Sequence, residues 1–419
     1  MRDAWALFAI ALALRLGYVL FYPQLPLGSH DAFAYDHFAW NLASGKGFVG
    51  PLLHTPPGSP DFPQASIGPI YPGFLALIYL VFGHSLVPVR VAQALLGALI
   101  IVVLYGTVRD AFGREIARRA GVLIALYPAL IVNTGVVLTE TLTAFLLSVV
   151  VWTLARAVRS EAIWPWGTAG VTMGMTILHR QETLALVPVF AALIVWRFRP
   201  RPPGPRVALF AVIAILTVGV WTVRNYVVFR TFIPVTYRGG ETLWISTKGW
   251  MEWRTDDPEF QSLVRGVKYY EQDKPFRRAA LRNIASDPVR YLILSVKRIP
   301  QMWVGSHSTV VGLSRSFRDY YTSGYYARVA AKAALLLANT LLVLAGVWGL
   351  VVALRATGGA QSLPALLAAP IIVIAILHFF LYATQRYAVP VMPFVLVFAA
   401  VAFGRWGVLS ERMVSWSSR

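Results

Sequence analysis

The chain has 419 residues, 57% hydrophobic and only 14% charged, against roughly half apolar and a quarter charged in an ordinary soluble domain. That composition belongs to a membrane protein. Lys and Arg number 38 against 19 Asp and Glu, a net +19 that would suggest nucleic acid in a soluble chain and here must be sorted by side of the membrane. With no cysteine, thiolate nucleophiles, disulfides and Cys-based metal or iron–sulfur sites are excluded. The seven His residues show no metal-ligand spacing, and no Gly-rich phosphate-binding loop is present. The energy for any chemistry must arrive with the substrate.

Trp5–Phe21 is long enough to span and follows Arg2, which places the N-terminus in the cytoplasm; Arg15 lies inside it. The sequence then turns amphipathic. Asp31–Ser44 (DAFAYDHFAWNLAS) puts Tyr35, Phe38, Ala39 and Leu42 on one helical face, with Ser29 as N-cap and Gly45 and Gly47 as stop. It reads as a helix lying on the membrane surface. A Pro/Gly-rich loop, Pro51–Pro63, follows. Ile67–Phe82 is apolar but short, and charge decides its fate. Val87–Val108 is a full span followed by Arg109, Arg114, Arg118 and Arg119, which belong in the cytoplasm. That works only if Ile67–Phe82 does not cross.

Further spans are expected over Ala120–Leu138, Thr141–Val158, Trp164–Leu178, Thr183–Trp196, Val207–Phe229, Val329–Leu354, Leu363–Tyr382 and Val389–Phe403. The expected fold is an all-α polytopic membrane protein of about ten spans, both termini cytoplasmic, with outer juxtamembrane helices. Residues 1–229 form an N-terminal transmembrane module whose first outer loop is 23–86. Residues 230–328 are a basic outer loop region, and 329–419 hold the C-terminal spans. Tyr291–Trp303, interrupted by Lys297, Arg298 and Pro300, reads as an interfacial helix.

Acidic residues are scarce, so their places carry information. Asp31, Asp36, Glu140 and Glu182 all fall at the outer level, with Arg180, Arg224 and Arg386. A sugar on a lipid phosphate already has a good leaving group. Its transfer needs arginines for the developing phosphate charge and a carboxylate to take the acceptor's proton. Asp31 suits that base and equally suits a helix cap beside Ser29. Asp36, on another face, reads as solvated or structural, and Arg180 and Glu182 are spaced to pair with each other. Arg386 and Arg224-Asn225 divide between snorkelling anchors and site residues. His179, His307 and His378 read as packing or interfacial residues.

The ordered set His30-Asp31 … Tyr35-Asp36 … Asn41 … Gly45 … Gly47-Phe48, Pro69-Ile70-Tyr71-Pro72, Thr139-Glu140, Arg180-Gln181-Glu182, Arg224-Asn225-Tyr226 and Arg386-Tyr387 … Pro390 … Pro393 resembles GT-C glycosyltransferases. The resemblance is to bacterial relatives of protein O-mannosyltransferases and lipid A aminoarabinose transferases, and it runs along nearly the whole chain. It implies a GT-C-type bundle and inverting transfer from a polyprenyl-phosphate sugar to a glycan, lipid or protein acceptor. The reaction would face the periplasm or exterior of a bacterial plasma membrane. Asp31 would be the catalytic base, with Tyr35, Tyr71, Glu140, Arg180, Glu182, Arg224, Asn225, Arg386 and Tyr387 contacting substrate. No cofactor or metal is indicated, and nucleic acid is not an expected partner. The sequence departs from the commoner Asp-Glu pair, having Asp31-Ala32, and has Phe62-Pro63-Gln64 where some members place Lys or His. A lipid-diphosphate-dependent glycan ligase or polymerase and a lipid-linked-sugar flippase are the competing readings. The flippase would call for an internal repeat or mid-membrane charges.

Overall fold

The computed structural model describes residues 1–21, 30–52, 58–197, 204–249, 255–305, 313, 315–356 and 363–404. In chain order its helices are α1 (Arg2–Phe21), α2 (His30–Ala43), α3 (Ile70–Phe82), α4 (Leu86–Phe112), α5 (Arg114–Leu126), α6 (Pro128–Val132), α7 (Glu140–Ala157), α8 (Trp164–His179) and α9 (Leu186–Arg197). There follow α10 (Gly204–Phe229), α11 (Gly239–Ser246), α12 (Pro258–Val264), α13 (Asp273–Ser286), α14 (Pro288–Trp303), α15 (Phe317–Thr322), α16 (Tyr326–Ala356), α17 (Leu363–Phe380) and α18 (Met392–Ala402). Among the described residues the only sheet is a two-stranded antiparallel ribbon, β1 (Val49–Gly50) with β2 (Phe62–Pro63).

Seven helical segments among the described residues are long and apolar enough to cross a membrane: α1, α4, α7, α10, α16, α17 and the run Gln385–Ala402 that ends in α18. The chain is thus an all-α polytopic membrane protein. The other three expected spans are helical but short or broken. Pro128 offers no N–H to Ile124, so Ala120–Leu138 divides among α5, α6 and a 3-10 turn at Asn133–Gly135. α8 has 16 residues, about 24 Å of helix. The third opens as a 3-10 turn, Gln181–Ala185, before α9.

Arg15 shows how the break is tolerated. It is fully buried and donates to the carbonyls of Ala11 (3.1 Å), Ile124 (3.2 Å) and Ala125 (3.4 Å). A cation therefore sits at the C-terminal end of α5, supplying the donor that Pro128 cannot. Elsewhere small residues bring backbones together: a Cβ on Gly349 would lie 1.8 Å from the Phe398 carbonyl oxygen, so α16 and α18 cross in near contact.

The arginines expected on the cytoplasmic side do share one end of the bundle. Arg114 pairs with Asp3 (2.7 Å), Arg159 with Asp110, and Arg119 donates to the Phe403 carbonyl (2.6 Å). The opposite end carries α2, α3, the ribbon and α11 to α14. α3, with 13 residues, reaches about 20 Å, short of the ~30 Å hydrocarbon core.

The helix expected over Asp31–Ser44 forms as α2, but it does not simply lie on a surface. It is buried on two sides. Ala32 and Ala39 pack against Tyr71, Leu75 and Tyr79 of α3, while Ala34 and Phe38 pack with Phe48 and Trp221. Small side chains on both faces let the helix approach its neighbours closely; the expected face included Phe38 and Ala39 but not Ala32 or Ala34, so the second buried side went unread. The expected Ser29 cap lies outside the described residues.

Candidate active site

α2 starts with Asp31 in its first turn, where the positive end of a helix favours a carboxylate. Glu140 opens α7 in the same way and is only 1% exposed. The 3-10 turn Gln385–Val391, between α17 and α18, carries Arg386 to both. Its Nη2 donates to Asp31 Oδ2, and its Nε lies 3.5 Å from Glu140 Oε1. One guanidinium thus joins two carboxylates that the sequence separates by more than a hundred residues. Glu140 Oε2, buried, has no hydrogen-bond partner among the described residues.

Two further arginines stand close by. Arg180, at the end of α8, pairs with Glu182 at 2.5 Å. Its guanidinium lies 5.1 Å from the Tyr387 ring centroid, and that of Arg386 lies 5.4 Å from the same ring. Tyr387 is held flat by His378, stacked at 4.7 Å. Arg238, just before α11, forms a two-pronged pair with Glu241 at 2.9 and 3.0 Å. The chain can place it here because Gly240 lets α11 approach α13: a Cβ there would lie 2.1 Å from the Asp273 carbonyl oxygen.

Burial pushes the Asp31 carboxyl up, but Arg386, with Arg238 and Arg180 behind it, outweighs that and holds it below the usual carboxylate range. Tyr35, one turn along α2, is raised above the usual phenol range by burial and by Asp31. It therefore stays protonated. Its ring packs edge-on against Tyr71 at 5.0 Å.

Tyr71 leads to the residue that fixes Glu140. Its hydroxyl donates to Gln93 Oε1 at 2.9 Å, and Gln93 Nε2 donates to the carbonyls of Thr134 (3.0 Å) and Val136 (2.9 Å). Gln93 is fully buried on α4 and holds the irregular segment that delivers Glu140. His179 adds a second hold, its Nε2 lying 2.9 Å from Thr143 Oγ1 and 3.1 Å from the Thr139 carbonyl. It is a buried packing residue, as expected. Gln93→Leu removes three hydrogen bonds, taking the acceptor from the buried Tyr71 hydroxyl and a donor from the Thr134 carbonyl, while the Val136 carbonyl keeps only the Leu138 N–H. We expect it to lower unfolding stability by about 3 kcal/mol and to reduce activity, read by thermal unfolding in detergent; an unchanged midpoint would contradict the strut role.

Arg224 and Asn225 are not brought to this cluster. Arg224 donates to the carbonyls of Gln64 (2.7 Å) and Phe48 (3.2 Å), and Asn225 to those of Ile233 (3.0 Å) and Val235 (3.3 Å). Loop backbone consumes their donors, so they brace the ribbon and the segment after α10. Asp36 is 6% exposed, accepting from Tyr79 (2.5 Å) and His84 (3.0 Å); it locks α2 to α3 and is not solvated. His378 is buried against Tyr387, its Nδ1 2.9 Å from the Tyr382 carbonyl oxygen. His307 lies outside the described residues. Arg238 is expected from the sequence only as one cation of the basic outer region, and neither it nor Glu241 is read there as a site residue. Their signal was an Arg three positions before one of the rare acids, the i,i+3 spacing of a helix-start ion pair.

Among the described residues no three His, Asp or Glu side chains converge. The carboxylates of Asp31 and Glu140 share Arg386, whose guanidinium lies between them.

Residues 65–221 match the family described as dolichyl-phosphate-mannose-protein mannosyltransferase, somewhat over a third of the chain. No curated protein matches the chain. Among solved structures it is similar to the oligosaccharyltransferase of Archaeoglobus fulgidus in the apo form, with a TM-score of 0.59 and 15% identity. The likeness covers 99% of this chain and 51% of that one. The same archaeal enzyme, AglB, in complex with an inhibitory peptide and a dolichol-phosphate gives 0.58 and 15%, over 99% and 51%. ArnT from Cupriavidus metallidurans bound to undecaprenyl phosphate gives 0.46 and 16%, over 99% and 78%. The chain spans about half the length of the oligosaccharyltransferase it matches.

Proposed function

We propose that this membrane protein of the GT-C fold is a glycosyltransferase that moves a sugar from a polyprenyl phosphate to a hydroxyl acceptor, with inversion, on the outer side of a bacterial plasma membrane. The observation that carries this is the Asp31–Arg386–Glu140 constellation: a base and a phosphate-binding cation in contact, at the end of the bundle opposite the arginine-rich face. The acceptor oxygen attacks the anomeric carbon and its proton passes to Asp31. The bond from that carbon to the phosphate oxygen breaks, and the phosphate leaves with the electron pair. Arg386 turns its fork from the carboxylates to the phosphate, with Arg180 and Arg238 close behind. Glu140 keeps Arg386 in place between turnovers, and Tyr35, always protonated, offers a donor. The match to mannosyltransferases that use a lipid phosphate, and the dolichol-phosphate bound to AglB, support this donor chemistry. Transfer of radiolabelled sugar from polyprenyl phosphate, compared with a diphosphate-linked donor, tests it. Diphosphate-only transfer would favour a ligase.

The depressed Asp31 carboxyl makes a prediction about pH. The group is ionised above the usual carboxylate pKa of about 4, so activity should hold through the mildly acidic range and fall only below it. The same sign applies to stability. The Asp31 contribution is complete above the unfolded carboxylate pKa and is lost as pH falls through the lower folded value. Arg386→Gln removes the principal lowering influence while burial remains, and its amide keeps one donor for phosphate where Arg386→Ala keeps none, so the acid limb of the residual kcat/KM should move upward. An unmoved limb would mean that Asp31 is not the titrating base.

A further inference from the structure

α14 crosses the site-bearing end of the bundle at a defined depth. Tyr291 donates to the Phe380 carbonyl and Arg298 to that of Phe379 (3.1 Å), the last two residues of the spanning helix α17. The helix therefore lies where that span leaves the hydrocarbon. One face, with Ser295, Arg298 and Met302, is buried against the protein. The opposite face shows Val289, Leu292, Ile293, Val296 and Ile299, each about half exposed or more. At 100° per residue these five occupy one continuous arc, and Arg290 and Lys297, both exposed, share its edge. On the preceding helix α13, Lys274, Arg278 and Arg282 form an exposed i, i+4, i+8 row. Across residues 273–303 there are seven Lys and Arg against two Asp. A spanning helix would be apolar all round, and a soluble one would not leave five aliphatic side chains uncovered.

We propose that α13 and α14 form a seat for the anionic phospholipids of the leaflet on the site-bearing side, the aliphatic arc entering the acyl boundary and the cations binding lipid phosphate. The seat is coupled to the site. Arg298 also donates to the Ser246 carbonyl at the C-terminal end of α11, whose N-terminal end adjoins Arg238, and α17 leads directly into the turn carrying Arg386. Lipid on α14 therefore bears on both segments that supply arginines. The occupant is bulk phospholipid, since Arg290 and Lys297 border the aliphatic arc itself and none of these cations belongs to the Asp31 cluster.

Because the chain has no cysteine, a single label can be read without background. Val296→Cys in the full chain carries a spin label, with Leu292→Cys as the second reporter of the same face, in nanodiscs of phosphatidylcholine with increasing phosphatidylglycerol. The label should be more accessible to oxygen than to a water-soluble nickel chelate, and more so as phosphatidylglycerol is added. Combining Lys274→Gln, Arg278→Gln, Arg282→Gln and Lys297→Gln should abolish the phosphatidylglycerol response, each charge removed weakening it about fivefold. A water-exposed label in both lipids would overturn the proposal. So would a phosphatidylglycerol response that survives the four substitutions, or one that appears only when polyprenyl phosphate is supplied. None of these readouts depends on sugar transfer, so the glycosyltransferase assignment stands or falls separately.

Discussion

Arg386→Ala is expected to abolish transfer and to destabilise the protein together, because the same guanidinium serves both. It contacts Asp31 and lies 3.5 Å from Glu140, which is 1% exposed. Removing the cation strands a buried carboxylate, which costs about 3–5 kcal/mol in comparable pairs. Thermal unfolding in detergent and a transfer assay separate the two effects. Adding Glu140→Gln to Arg386→Ala should recover much of the stability, since the fully buried carboxylate is then neutral and Asp31, 38% exposed, keeps access to water, but none of the transfer. Recovery of transfer in the double variant would show that Arg386 acts only as a structural partner of Glu140.

Asp31→Asn should cut the transfer rate by about 10³-fold, the usual range for loss of a general base. It should leave the fold intact. α2 is held by Ala32, Ala39, Ala34 and Phe38 and by the Asp36 bonds to Tyr79 and His84, none of which involve the Asp31 carboxylate. The same isosteric change also weakens the pair with Arg386, which frees that fork for phosphate. Donor affinity should therefore be kept or improved while turnover is lost. Full activity in Asp31→Asn would assign the proton to another group.

Composition and charge made the membrane class legible, because lipid demands long apolar helices and sorts arginines by side. The bounds of α2 followed from its glycine stop, whereas α4 runs through Arg109 to Phe112, beyond the expected end at Val108. The count of spans was less legible. Pro128 breaks a segment whose hydropathy alone reads as continuous, and the compensating donor, Arg15, sits more than a hundred residues away. The site was legible in its ingredients. Asp31, Glu140, Arg180 and Arg386 stood out because charges are few, and they do meet. Their partners were not legible: the contact of Arg386 with Asp31 spans 355 positions. Arg224 and Asn225 looked like site residues because nothing local shows that loop carbonyls from Phe48, Gln64, Ile233 and Val235 take up their donors. Gln93, uncharged and on a span, carried no signal at all, although it uses its polar atoms to hold the segment before Glu140.

The most direct measurement of the central claim is a titration of purified protein in nanodiscs with sugar-free polyprenyl phosphate, followed by phosphorus NMR, for the wild type, Asp31→Asn and Arg386→Gln. The account predicts saturable binding in the wild type, equal or tighter binding in Asp31→Asn despite its lost transfer, and a large loss of affinity in Arg386→Gln. Binding unaffected by Arg386→Gln, or lost in Asp31→Asn alone, would contradict it.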